Sequence, residues 1–147
     1  MDRNRAFGTL PRRSYRGSQA IIKLLLATGK VEVNSKDAQW SRTPLNWAAE
    51  KGHEAIIRLL VSTEKAEVNS KDRYGRAPLS YAAVVGHEAI VTLLLATGEI
   101  EVDSKDHGNM TPLSHAAKRG NKAIVELLLA TENVEVDSQD RYGETHP

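Results

Sequence analysis

The residues in this chain with chemistry to offer are five histidines and two series of evenly spaced carboxylates. Histidines could hold a metal or move protons. No two of His53, His87, His107, His115 and His146 stand four apart, however, the spacing that puts two imidazoles on one helical face. Asp37, Asp72, Asp106 and Asp140 recur at steps of 35, 34 and 34, and Glu32, Glu67, Glu101 and Glu135 do the same. An active site is normally built once, so carboxylates at a fixed period argue for scaffold rather than acid–base catalysis. The absence of cysteine excludes disulfides, thiolate zinc sites and a cysteine nucleophile. Glycines fall singly between apolar stretches and do not form a phosphate cradle. No catalytic residue, no cofactor, no metal and no small-molecule substrate is therefore expected.

The elements carrying these residues are repeats. Thr43-Pro44-Leu45, Ala77-Pro78-Leu79 and Thr111-Pro112-Leu113 stand in register at a spacing of 34. Each is followed by a pair of small residues, a glycine, an Ile-rich or Val-rich run and a Leu-Leu pair. The upstream stretch 17–36 retains the later part of the unit, with full copies at 37–71, 72–105 and 106–139 and a truncated one at 140–147. Segment 1–16 reads as a degenerate, frayed N-terminal cap, because Arg13-Ser14 replace the small pair and Pro11 interrupts the pattern. The last full copy keeps the apolar character of an internal repeat, as though the array were cut from something longer.

At 147 residues the chain can bury a core, and its 20 basic and 19 acidic residues nearly cancel. Net charge therefore points to neither nucleic acid nor membrane, and no apolar run approaches a membrane span of about 18 residues. Met1-Asp2-Arg3 lacks the apolar core of a secretory signal, so an intracellular location, cytoplasmic or nuclear, is expected. Proline at the first helical position with threonine before it starts a short helix. Gly52, Gly86 and Gly120 suit the left-handed residue that ends it. The apolar run after each glycine predicts a second helix, apolar over so much of its circumference that it reads as an inner one. Asp72-Arg73-Tyr74-Gly75 reads as a tight turn, and Asn109 stands where the third copy needs a positive φ. Ala77 forfeits a threonine cap.

An Asp-x-x-Gly turn, Thr-Pro-Leu, Ala-Ala, Gly-His, Ile-Val and Leu-Leu in this order resemble the ankyrin repeat, best across 72–105 and over about 17–143. The Leu-Leu-Ala-Thr-Gly and Val-Glu-Val-Asn-Ser-Lys-Asp wording also resembles arrays in fungal NLR-like proteins. The resemblance implies an all-α fold, a solenoid of stacked helix-turn-helix units joined by β-hairpin-like loops. It also implies that His53 and His87 make structural hydrogen bonds between repeats.

It further implies a protein-binding scaffold whose partners dock on the concave side, along hairpin tips and first-helix ends. Carried onto this chain, that face comprises Gln39, Trp40, Arg42 and Lys51 in the first full repeat. The second contributes Arg73, Tyr74, Arg76, Val84 and Val85, the third His107, Met110, Lys118 and Arg119, and the final hairpin Arg141 and Tyr142. Basic residues dominate the strip, which fits an acidic segment of a partner protein, with Tyr74, Val84 and Val85 as an apolar centre. Trp40 has two readings: it projects from a hairpin one residue longer than the others as a binding anchor, or it folds back. The alternative to recognition is structural: end-to-end self-association, or a fragment serving a larger protein. No nucleic-acid motif is present, and stacking aromatics are few.

Overall fold

The Thr43 hydroxyl accepts a hydrogen bond from the Asn46 backbone N–H at 3.2 Å, and the Asn46 side chain accepts from the Thr43 N–H at 2.9 Å. This reciprocal cap opens helix α1, Pro44–Lys51, in a computed structural model that describes residues 32–131. Five more helices follow: α2 (Glu54–Ser62), α3 (Pro78–Val85), α4 (Glu88–Leu95), α5 (Pro112–Lys118) and α6 (Lys122–Leu129). Proline begins each first helix, as the missing N–H allows. Thr111 caps α5 through the Ser114 N–H at 3.1 Å. Ala77 gives α3 no such acceptor, and Ser80 Oγ only receives the Ala77 N–H at 3.4 Å.

Gly52 turns the chain from α1 into α2 with φ of 75°, and its N–H closes on Ala48 O. The three pairs then stack in two rows. Helix α1 packs on α3 and α3 on α5, while α2 packs on α4 and α4 on α6. Ala48, Ala49, Ala82, Ala83 and Ala116 are buried between the first helices, where small side chains permit close approach. Ile56, Ile57, Leu60, Ile90, Val91, Leu94, Ile124 and Leu128 fill the space beneath. The second helices are not the inner ones. Helix α3 buries six of its eight residues, whereas α4 buries Ile90, Val91 and Leu94 and leaves Glu88, Ala89 and Thr92 exposed. The apolar length of the second helices exceeds what their covered side requires, and Leu129 is correspondingly exposed.

At two successive boundaries among the described residues, loops are tied repeat to repeat by the same bonds. The Asn34 side chain pairs with Lys65 O and Glu67 N, and Asn69 repeats this with Glu99 O and Glu101 N. Lys36 Nζ donates to Lys71 O, and Lys71 Nζ to Lys105 O, each at 3.1 Å. The frayed cap at 1–16, most of the 17–36 copy, and 140–147 with Arg141 and Tyr142 lie outside the described residues.

Candidate functional site

Asp37, Asp72 and Asp106 each work with both oxygens. One holds its own hairpin: Asp72 Oδ1 accepts from Tyr74 N and Arg76 N at 2.9 and 3.0 Å, and Asp106 Oδ1 from Gly108 N and Met110 N at the same distances. The other oxygen takes the side chain found 34 residues apart on the three first helices: Trp47 Nε1 on Asp37 at 2.9 Å, the Tyr81 hydroxyl on Asp72, and His115 Nε2 on Asp106 at 2.7 Å. Glycine supplies the turn at Gly75, φ 76°; Asn109 does so at 64° and Ser41 at 54°. The hairpins also bond edge to edge, Arg73 N to Trp40 O at 2.8 Å and His107 N to Tyr74 O at 3.0 Å.

An arginine of the preceding repeat completes this arrangement. Arg42 Nε lies 3.4 Å from Asp72 Oδ2 with Nη1 3.1 Å from Glu50, and Arg76 Nε lies 3.6 Å from Asp106 Oδ2. Burial alone would lower the affinity of Arg42 for its proton, but Tyr81, Glu50 and Asp72 outweigh it and the guanidinium is held above its ordinary value. Burial, then the bond to Asp72, raises the Tyr81 hydroxyl. Burial of Asp106 works against its charge, yet the bonds from His115, Met110 N and Gly108 N hold its carboxyl below the usual range.

Two residues expected on the open face are therefore inside. Arg42 is 9% exposed because Asp72 and Glu50 draw it in, and Met110 is 6% exposed because its backbone closes the third hairpin. Trp40 does not project. Its ring centroid lies 6.0 Å from that of Trp47 at an interplanar angle of 68°, within its own repeat. Gln39, Arg73, Tyr74, Val85, His107, Lys118 and Arg119 are exposed, whereas Lys51, Arg76 and Val84 are half-buried. Among the described residues, Tyr74, at 48%, is thus the exposed aromatic of the hairpin tips. An open cleft of about 460 Å³ between the second and third hairpins brings together Tyr74, Arg76, His107, Met110 and Lys118 with His115. Val84 and Val85 do not line it, so the apolar centre expected from them with Tyr74 does not form there.

The match extends along the whole recurrent pattern. A family profile for ankyrin repeats in three copies covers residues 13–106, and one for a single ankyrin repeat covers 108–141. The chain belongs to the ankyrin-repeat family. Ankyrin repeats serve generally as protein–protein interaction modules. The match is to the repeat itself and does not single out the arrays of fungal NLR-like proteins. Among curated proteins none matches the chain. His87 Nε2 meets Glu50 O at 3.0 Å, a hydrogen bond between repeats of the kind the family resemblance implied. Among the described residues of this ankyrin array, no three His, Asp or Glu side chains gather where a metal could be held, and no helix is long and apolar enough to cross a membrane.

The column of Trp47, Tyr81 and His115 was the part that residue-by-residue reading missed. Its signal is the period itself, since the three stand 34 apart and each follows a turn aspartate by nine or ten residues.

Proposed function

We propose that this ankyrin array is a non-catalytic recognition module that binds an acidic segment of a partner protein inside the cell, along its hairpin tips and first-helix ends. The observation that carries the reading is where the charge goes. The carboxylates of Asp72 and Asp106 are turned inward, with side chains 0% and 4% exposed, and each is paired with the arginine of the preceding repeat. Arg73, Lys105, Lys118 and Arg119 stay exposed. Among the described residues, Lys36 and Lys71 donate to neutral carbonyls, which do not cancel their charge. A face that cancels its acids internally and keeps its bases outward favours an acidic ligand and speeds its encounter. Stacked repeats hold these groups in fixed register, so little ordering entropy is lost on binding.

The test compares the parent with a triple variant, Arg73→Glu, Lys118→Glu and Arg119→Glu, matched for helical circular dichroism, in a pull-down from native extract. Arg76 is left intact because a glutamate there would face Asp106. A protein retained by the parent, released by moderate salt and lost by the variant is the expected result. Identical retention by both would overturn the acidic face, and retention of nothing but further copies of the chain would favour end-to-end stacking instead.

A further inference from the structure

Arg42 lies against three rings at once. Its Cζ is 5.2 Å from the ring centroid of Trp40, 4.7 Å from Trp47 and 4.8 Å from Tyr81. Joining the repeats does not require this. Arg76 holds the same place one repeat later and pairs with Asp106 in the same way, yet among the described residues the ring near it is Tyr81 alone, at 5.8 Å. An ion pair suffices at one boundary, whereas the other adds both of the chain's tryptophans.

The rings are held by groups other than the arginine. Trp47 is fixed by its Nε1–H on Asp37 and Tyr81 by its hydroxyl on Asp72, while the Trp40 ring packs edgewise on Trp47 and its backbone N–H bonds the second oxygen of Asp37 at 2.7 Å. The walls therefore persist if the guanidinium leaves. Ring faces attract cations, most effectively those with a diffuse, weakly hydrated charge, and cages of this kind suit methylated ammonium groups. An unmodified lysine ammonium is compact and strongly hydrated, and so fits less well.

We propose that Trp40, Trp47 and Tyr81 form a cation cage, occupied at rest by the chain's own Arg42, that takes a methylated lysine side chain of a partner protein when Arg42 swings aside. The exchange strands no charge. Glu50, with a quarter of its side chain in solvent, already holds Arg42 Nη1 at 3.1 Å and remains its partner as the guanidinium swings outward. Asp72, whose contact with Arg42 is long at 3.4 Å, pairs with the incoming cation. Trp40, on the longer first hairpin, and Trp47 are half-buried and Tyr81 is buried, so the tryptophans are the walls nearer solvent. This site uses neither Arg73 nor Lys118, so it stands or falls apart from the acidic-segment reading.

Tryptophan fluorescence reads the cage directly. Three short peptides serve as probes: one with trimethyllysine, one with unmodified lysine, and one with the uncharged tert-butyl isostere. The expected result is a saturable change with trimethyllysine in the parent, about tenfold tighter binding in Arg42→Met because the resident competitor is gone, and binding at least about tenfold weaker in Trp40→Leu. Equal response to the charged and uncharged peptides, or a folded Arg42→Met that binds no tighter than the parent, would overturn the proposal. Should Arg42→Met fail to fold, the parent and Trp40→Leu decide: no binding by the parent, or undiminished binding by Trp40→Leu, overturns it as well.

Discussion

Asp106 Oδ1 receives two hairpin N–H groups while Oδ2 receives His115, so one ionised carboxylate joins a hairpin to a helix. Because its pKa is lowered on folding, its stabilisation is complete above the ordinary carboxylate value of about 3.9 and is lost as pH falls through the lower folded value. Asp106→Asn keeps the shape and removes the charge. The variant should be less stable than the parent by about 1–3 kcal/mol at pH 7 and should show a smaller loss of stability below about pH 4. Urea unfolding at pH 7, 4 and 3 checks both. At this scale the sequence was only partly legible. The turn aspartates announced themselves by recurrence, but the burial of Arg42 depends on Asp72, thirty residues away, and on Trp47 and Tyr81 standing beside it. A strip read by position alone counts such an arginine as free.

Among the helices, α3 is the outlier. Its neighbours α1 and α5 open on a threonine hydroxyl, and α3 opens on Ala77. The third repeat already combines a threonine cap with serine three residues on, the pair Thr111 and Ser114, so Ala77→Thr meets the same local partner in Ser80. This substitution should raise stability by about 1 kcal/mol, measured as a higher denaturation midpoint with an unchanged m-value. Helix starts and stops were readable because proline, threonine and glycine act on the backbone within one turn. Which helix faces inward was not. The second helices carry the longer apolar runs, but burial was decided by the alanine pairs that let the first helices approach one another.

Across the whole array, stability resides at the boundaries between repeats. A Cβ on Gly52 would stand 2.8 Å from Cε1 of the His87 ring in the next repeat, and φ of 75° disfavours any side chain there. Gly120 has a similar φ of 73° with nothing within 4 Å of such an atom. Gly120→Ala should therefore cost about 1–2 kcal/mol from the backbone alone, and Gly52→Ala more. Pairing Gly52→Ala with His87→Ala should recover part of the difference, a coupling of at least about 0.5 kcal/mol in a double-mutant cycle. Additive effects would mean that the ring moves away freely.

The ring of His87 and the bare backbone of Gly52 are two halves of one fitting, and the halves belong to different repeats. A repeat excised at its sequence borders and spliced into another array would carry one half of each fitting and meet a stranger's half at both ends. Because the two halves stand 35 residues apart, a full period, a crossover at any point in the array parts one such pair, and a chimera stacks where the foreign half brings the same ring or the same bare glycine to the seam.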